Sequence, residues 1–321
     1  MNREVPRWLL PVVCASMVAA AAAFLLVPRG ESARHPAFCS AVKGAGGKPQ
    51  APLGLFVHYG PSSLVNESST VRWWRAMVAP SYARAVARFR PKPSVVDGWF
   101  DLARRAGARY VAVIAKHHDG YALWNSSTTS YTVGKHDLIA RAALDARRSG
   151  LGLVLYFSLV DEHVASYDDD WPAYLRFVKA QLRELLTRYG PIAGVWFDGP
   201  GWADGRSADE WGLPSLYAEV HRSQPDAEII TNHHCARPLA GEGALTFENE
   251  APRRRAGFPQ QIAYSLSDQW FYSTQERPHS HRSYLALRAR ARRVGAGLLV
   301  NVPPRPDGTF APEYVRALLG R

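Results

Sequence analysis

Short apolar runs alternate with helix-like stretches from residue 53 to near the end of the chain. Seven apolar runs predict strands, at 54–59, 110–116, 153–158, 194–197, 228–231, 245–247 and 297–302, and an eighth, weaker run falls at 268–272. Helical periodicity fills the intervals, over 80–89, 95–106, 138–149, 171–189, 207–224 and 282–294. Such alternation is typical of α/β proteins with a parallel sheet. Because no GxGxxG turn follows the first strand, the pattern favours a single (β/α)8 TIM-like barrel over a doubly wound sheet.

Polar residues gather where the predicted strands end. They are His58, His117, His118, Ser158, Asp198, Asn232, His233, His234, Glu248, Glu250 and Asn301. In a barrel of parallel strands, the carboxyl ends of the strands share one rim, and active sites are built there. A ring of polar residues at these positions therefore predicts a site on that rim.

Asp198 stands out within this ring, because it ends the apolar run VWFDG at 195–199. A strand of a parallel barrel is buried on both faces, and a carboxylate there is costly unless it is paired or used. Aspartate before glycine also caps turns through its own backbone, which is the structural alternative. The second polar cluster at 116–120 favours a catalytic carboxylate at Asp198.

A second carboxylate is needed for retaining glycoside hydrolysis, about 5–5.5 Å from the first. Glu248 and Glu250 end the sixth predicted strand, two strands from Asp198. This pairing also suits proton transfer or metal binding. The histidines raise the alternative of a metal-dependent barrel hydrolase. Against it, the first strand offers a lone His58, and adjacent histidines on an extended segment point to opposite sides, so His117 and His118 are poorly placed to share an ion.

Composition narrows the function classes. The chain has 321 residues, a hydrophobic content of 47% and a formal charge of +11. The arginines are scattered over predicted outer helix faces, without a groove-reading helix or a basic patch interleaved with aromatics. Solvated helix faces explain such charge, and a nucleic-acid partner is not expected.

The N-terminus predicts export. Arg3 and Arg7 precede the uncharged, mostly apolar stretch 8–27. This stretch is longer than the usual cleaved signal core of about 7–15 residues, and long enough to anchor the protein in a membrane. We therefore predict a signal peptide or signal anchor at 1–29, a linker at 30–50 and the catalytic domain at 51–321, in a secreted or extracytoplasmic protein. Outside the cell Cys39 and Cys235 could pair, or remain two unrelated thiols.

Several motifs together resemble the α-L-fucosidases of glycoside hydrolase family 29. They are GLFVHYG at 54–60, AGARY at 106–110, KHHDGYALWNS at 116–126, VWFDG at 195–199 and GLLVNVPP at 297–304. The similarity runs from about residue 53 to 319 and covers the whole predicted barrel. The resemblance implies a retaining exo-glycosidase that removes terminal α-L-fucose from glycans through a covalent glycosyl-enzyme, without a metal or organic cofactor.

The resemblance also implies roles for individual residues. Asp198 would be the nucleophile, and Glu250 the acid/base, with Glu248 as second choice. The substrate-binding residues would be His58, Trp73, His117, His118, Tyr156 and Trp196. Neutral imidazoles can both donate and accept, so we expect activity to fall on the acid side near pH 6–6.5, where histidines ordinarily take up a proton.

The chain departs from the family at two places. Arg72 stands where relatives commonly have a glutamate, and His233-His234 replaces the Asp-Arg of an Asn-Asp-Arg run. A reversed charge cannot make the same hydrogen bond. The alternatives are a shifted sugar preference or a catalytically impaired, sugar-binding barrel. No C-terminal β-sandwich is expected.

Overall fold

The computed structural model describes residues 52–65, 80–201, 203, 205–235, 237–250, 252 and 257–321. The predicted leader and linker, with Cys39, Arg72 and Trp73, lie outside the described residues. The division at residues 29 and 50 therefore stays a prediction.

Eight parallel strands close into a barrel in chain order, which confirms the predicted (β/α)8 architecture. The strands are β1 (Leu53–Val57), β2 (Tyr110–Lys116), β3 (Gly152–Ser158), β4 (Gly194–Asp198), β5 (Glu228–Asn232), β6 (Ala244–Glu248), β7 (Gln260–Ser265) and β8 (Gly297–Asn301). The first and last strands pair in parallel, with Phe56 opposite Asn301, and complete the closure.

Seven helices of eight or more residues accompany the strands in the described part of the chain. They are α1 (Pro80–Arg88), α2 (Val96–Ala106), α3 (Leu138–Ser149), α4 (Trp171–Arg188), α5 (Leu213–Ser223), α6 (His281–Val294) and α7 (Pro312–Leu319). Helix α3 begins after Asp137, whose carboxylate accepts from the Ala140 N–H at 2.8 Å, and it ends at Gly150 in the left-handed region (φ 68°). None of the described helices is long and apolar enough to cross a bilayer.

Two sequence predictions of secondary structure are wrong. The strand absent from the seven predicted runs is β7 (Gln260–Ser265), and residues 268–272, the weaker eighth candidate, lie in the loop that follows it. The helix predicted to start at residue 207 begins at Leu213, because Gly212 adopts a left-handed conformation (φ 63°) that interrupts helical geometry. Helix α7 was not predicted from the sequence.

The inside of the barrel is filled by aromatic rings and a few polar groups. The rings of Phe56, Tyr156 and Trp196, from three strands, lie 5.3–5.8 Å apart between centroids. Below them Gln261 accepts from the Trp196 indole N–H and donates to the Tyr110 hydroxyl, both at 2.9 Å. The Tyr110 ring fits because residue 54 is glycine, where a Cβ would approach it to 2.2 Å. These side chains therefore pack together inside the barrel below its carboxyl rim.

A buried ion pair ties the end of β2 to the loop after β3. The Lys116 ammonium lies 2.9 Å from Asp161 Oδ2, and neither side chain is more than 2% exposed. The other Asp161 oxygen accepts from the backbone N–H groups of His163 and Val164. The lysine also lies 4.7 Å from the centre of the Phe157 ring. Because His117 and His118 directly follow Lys116, this pair fixes the segment that carries both histidines.

We predict that Asp161→Ala destabilises the fold strongly, because Lys116 then stays buried without a counter-charge. The expected loss is about 3–5 kcal/mol in the free energy of unfolding, measured by denaturant titration. Asp101→Ala is the matched control: it breaks an exposed pair with Arg104 on α2 and should cost no more than about 1 kcal/mol. Equal, small losses from both variants would contradict this assignment.

Candidate active site

Every strand contributes a polar side chain at the carboxyl rim. In order from β1 to β8 these are His58, His117 with His118, Ser158, Asp198, Asn232, Glu248, Ser265 and Asn301. The rim predicted from the strand ends is thus a continuous set of polar groups. Its members are connected by hydrogen bonds, which centre on Asp198 and on His58.

Asp198 ends β4 and is 5% exposed. Its Oδ2 accepts from the Tyr156 hydroxyl at 2.6 Å. Its Oδ1 accepts from the Gly199 N–H at 2.8 Å and from the Asn232 amide at 3.1 Å. Burial, with the negative charge of Asp198, holds the pKa of Tyr156 well above its usual value, so the phenol keeps the proton that it donates. Three donors therefore stabilise an ionised carboxylate at this position.

Glu248 is the carboxylate next to Asp198. It ends β6, is partly buried, and its Oε1 accepts from the same Asn232 amide nitrogen at 2.8 Å. The two carboxylate oxygens lie 3.1 and 2.8 Å from one nitrogen, so they are at most about 5.9 Å apart, the total of those distances. Retaining glycosidases separate their carboxyl groups by about 5–5.5 Å, and inverting ones by about 6.5–9.5 Å. The shared amide places this pair on the retaining side of that division.

Glu248 is held in its protonated form. Burial and the nearby charge of Asp198 raise the pKa of its carboxyl to about 8, although the hydrogen bond from Asn232 acts in the opposite direction. At neutral pH the pair therefore consists of one carboxylate and one carboxylic acid, which is the combination that acid-assisted displacement requires.

Glu250 lies apart from this pair. The strand ends at Glu248, and Asn249 adopts a left-handed conformation (φ 51°) that turns the chain. Glu250 is exposed beyond this turn. Glu248, the second choice from the sequence, is therefore the glutamate that lies beside Asp198, and which of the two acts as acid/base stays a prediction.

His58 is oriented by Asn301. The Asn301 amide N–H donates to the Trp270 carbonyl at 2.8 Å, so its oxygen faces His58. That oxygen lies 3.0 Å from His58 Nδ1, which must carry the proton. The Nε2 atom of His58 is then a hydrogen-bond acceptor. The ring also packs against Trp270 and Phe271, with centroids 4.9 and 5.5 Å away.

His117 has the opposite tautomer. Its Nδ1 accepts from the backbone N–H of His118 at 2.9 Å, so the proton of the neutral ring is on Nε2. The two rings lie 4.2 Å apart between centroids, and His117 stacks on Tyr156 at 5.1 Å. His118 bonds the Ser158 hydroxyl through Nδ1 at 2.6 Å and approaches Asp198 Oδ2 to 3.6 Å through Nε2. Both histidines thus border the nucleophile candidate, rather than facing opposite sides as expected.

Burial keeps the three histidines neutral. It lowers the pKa of His58 and of His118 to about 3, and that of His117 well below its usual value. These lowered pKa values contradict the expectation that the rings take up protons near pH 6–6.5, because the loss of hydration disfavours the charged form.

Trp196 and Trp73 are the remaining predicted site residues, and the structure describes only the first. Trp196 is 1% exposed and stacks beneath Tyr156, so it supports the pocket from below. Trp73 lies outside the described residues. Sequence reasoning missed Asn232 as a shared donor, and it missed Trp270 and Phe271 because 268–272 read as a strand. Asn232 and Asn301 could have been recognised as site residues from the sequence, since each is a polar residue at the end of an apolar strand.

His233, the first histidine of the His233-His234 run that replaces Asp-Arg, has a structural role. The His233 Nε2 atom lies 3.0 Å from Glu242 Oε2, and neither side chain is exposed. Glu242 also accepts from the Tyr217 hydroxyl at 2.7 Å. The next residue, His234, is partly buried and left-handed (φ 58°). Within the part of the chain that the structure describes, no group of three or more His, Cys, Asp or Glu is arranged to hold a metal ion.

The chain is similar in sequence to known proteins. The family model described as alpha-L-fucosidase matches residues 49–320. Alpha-L-fucosidase 1 of Arabidopsis thaliana is 27% identical over 83% of this chain and 56% of its own length. Tissue alpha-L-fucosidase of Bos taurus is 31% identical over 84% of this chain and 64% of its own length. The chain thus spans less than two thirds of either relative.

Solved structures share the barrel. Alpha-L-fucosidase isoenzyme 1 from Paenibacillus thiaminolyticus superposes with a TM-score of 0.75 at 23% identity, over 84% of this chain and 72% of its own. An alpha-L-fucosidase from Bacteroides thetaiotaomicron gives 0.74 at 19% identity, over 86% and 75%. These values establish a common fold, and the family model covers nearly all of the described barrel. The chain therefore belongs to the alpha-L-fucosidase family, glycoside hydrolase family 29.

Proposed function

We propose that this protein is a retaining exo-acting α-L-fucosidase that hydrolyses terminal α-L-fucose from glycans. The observation that carries the proposal is the Asn232 amide that donates to both Asp198 and Glu248. The raised pKa of Glu248 supports it, since it favours an acid beside the carboxylate of Asp198. Family membership supports the choice of sugar. The Bacteroides thetaiotaomicron relative was trapped as a covalent intermediate, which supports the same course of reaction here.

In the first step, a lone pair of Asp198 attacks the anomeric carbon from the side opposite the aglycone. The bond from that carbon to the glycosidic oxygen breaks, and the Glu248 proton moves to the departing oxygen. In the second step, water bonds to the anomeric carbon and gives a proton to Glu248, while the ester bond to Asp198 breaks. Both residues return to their starting states, and the sugar keeps its anomeric configuration. No cofactor takes part.

The histidines suit recognition of sugar hydroxyls. His58 has an acceptor at Nε2 and His117 has a proton at Nε2, so the two neighbouring rings carry complementary groups of the kind that bind hydroxyls. Because their pKa values are lowered by burial, neither ring changes charge in the working pH range. Trp270 and Phe271 add an apolar wall beside His58, which fits the C5 methyl group of a 6-deoxy sugar.

We further propose that the protein acts outside the cytoplasm. Support comes from the charged-then-apolar pattern of residues 3–27 and from Cys235, which is disulfide-bonded. Disulfides persist in oxidising compartments. Fractionation of expressing cells, with mass spectrometry of the mature N-terminus, separates a cleaved, secreted form from a membrane-anchored one; a reduced, cytoplasmic protein would contradict the proposal.

The activity test is hydrolysis of 4-nitrophenyl α-L-fucoside within a panel of other nitrophenyl glycosides. We expect turnover of the fucoside, and a fall in kcat of at least about 1000-fold in Asp198→Asn, because the nucleophile loses its charge. Sugar binding by the wild-type protein without turnover of any glycoside would instead indicate a sugar-binding barrel.

The acid/base assignment predicts different behaviour for Glu248 and Glu250. Glu248→Ala should slow glycosides with poor leaving groups far more than activated ones, since only the former need a proton. Azide should accelerate it by attacking the glycosyl-enzyme from the face that the aglycone left, to give α-fucosyl azide. In Asp198→Gly, azide replaces the nucleophile on the opposite face and should give β-fucosyl azide. Glu250→Ala is the matched control and should stay near wild type. The reverse result for the two glutamates would restore the order drawn from the sequence.

The pKa of Glu248 predicts the alkaline limit of activity. The group must be protonated to act as the acid, so activity is present below its pKa and is lost as pH rises through it. We expect kcat/KM for a poor leaving group to fall above about pH 8. The histidines should produce no fall near pH 6–6.5. A profile that declines already through pH 6.5 on the acid side would contradict their neutrality.

A further inference from the structure

Asn232 is the residue that touches both carboxylates. It ends β5, opposite Asp198 in the parallel register, and is 1% exposed. Its amide nitrogen donates one N–H to Asp198 Oδ1 and the other to Glu248 Oε1. Its amide oxygen is buried and has no hydrogen-bond partner among the described residues.

The orientation of this amide follows from the charge of Asp198. An ionised carboxylate can only accept, so the amide must turn its nitrogen towards Asp198. The cost is the unpaired oxygen, since a buried acceptor without a partner is unfavourable. The two hydrogen bonds from the amide nitrogen to Asp198 and Glu248 offset this cost.

The backbone around Asn232 is held independently of the site. His233 accepts the Cys235 N–H through Nδ1 at 3.1 Å, so its other nitrogen carries the proton that faces Glu242. Glu242 also accepts from the backbone N–H of Leu239 at 2.7 Å. The turn after β5 is therefore fixed by buried bonds next to Asn232, and the amide has little freedom to leave the pair.

We propose that Asn232 is a positioning residue that couples the nucleophile to the acid, by donating one N–H to each. This inference rests on the proposed function and assigns a task beyond it. Because Oε1 of Glu248 is occupied by the amide, the acidic proton belongs on Oε2, the oxygen left to meet the departing group.

The same amide serves both halves of the reaction. Before attack the single negative charge is on Asp198. Once Asp198 has become an ester and Glu248 has given up its proton, the charge is on Glu248. Each location has one Asn232 N–H directed at it, so the charge moves between two oxygens that are already solvated, without reorganisation of the protein.

Removing Asn232 should change the acidity of Glu248. The groups that face this carboxyl are Asp198 on β4, Tyr156 on β3, which the charge of Glu248 itself influences, and His118 after β2, beside Asp198. Tyr156 and His118 stay neutral near pH 8, so Asp198 is the only charge among the three. A shift in the titration of Glu248 on loss of the amide is therefore attributable to the lost hydrogen bond.

The experiment measures the titration of Glu248 directly by NMR and, in parallel, through the pH dependence of kcat/KM. Glu248 is followed by NMR in protein labelled at the glutamate carboxyl carbons, with Glu248→Gln to assign the signal. In Asn232→Ala we expect its pKa to rise by about half to one unit, because one hydrogen bond to the carboxylate is lost. The alkaline limb of kcat/KM should move up equally, and the plateau should fall about 10- to 100-fold. Asn232→Asp, which adds a negative charge between the carboxylates, should lose more than about 100-fold at neutral pH.

Gln181→Leu is the matched control. Gln181 is a buried amide on α4, away from the rim, and its variant should leave both the titration and the pH profile unchanged. If Asn232→Ala does not fold, Asn232→Ser takes its place. An unchanged Glu248 titration in a folded Asn232 variant would overturn the coupling. If the wild-type protein hydrolyses no fucoside while the titration still shifts, the proposed function fails and the coupling stands.

Discussion

One buried negative charge organises the carboxyl rim of this barrel. An aspartate at the end of a parallel strand has lost most of its water, and an isolated carboxylate there would take up a proton rather than stay ionised. The Tyr156 hydroxyl, the Gly199 N–H and the Asn232 amide replace the lost water with donors. They come from three successive strands or their turns, so the barrel itself sets their distances. The rest of the site is arranged around this charge.

The neighbours of Asp198 are kept uncharged by the same burial. Glu248 holds its proton because a second negative charge so close would be repelled, and the histidines stay neutral because positive charge is equally poorly solvated. The only buried cation nearby, among the residues described, is Lys116, and Asp161 balances it. The site thus works with one net negative charge, although the whole chain carries +11. Surface arginines do not enter this balance, because they are exposed and screened.

The sequence predicted the barrel and most of its rim, because strand ends in such a fold are marked by polar residues after apolar runs. The sequence-based predictions failed where the local backbone conformation or the strand register determines which side chains reach the site. Strand β7 starts with Gln260 and Gln261, and the Gln261 side chain bonds inside the barrel. A search for apolar runs therefore misses this strand. Glu248 and Glu250 are equivalent in sequence, and the left-handed Asn249 separates them. The Asn232 amide reaches both carboxylates because β4 and β5 pair with Asp198 opposite Asn232. The spacing of residues in the sequence does not reveal this register.

The side chains packed inside the barrel below Asp198 have a consequence for the order of steps in the proposed reaction. Trp196, Gln261 and Tyr110 occupy the interior below Asp198 and are joined by hydrogen bonds. In the proposed reaction, the fucosyl group attached to Asp198 would therefore lie above these side chains, with the aglycone on the side of the rim. In the proposed reaction, water would approach the anomeric carbon by the path that the aglycone vacates, and free fucose would leave by that same path. An aglycone that lingers at the mouth would delay hydrolysis, and an alcohol arriving in its place would compete with water for the sugar.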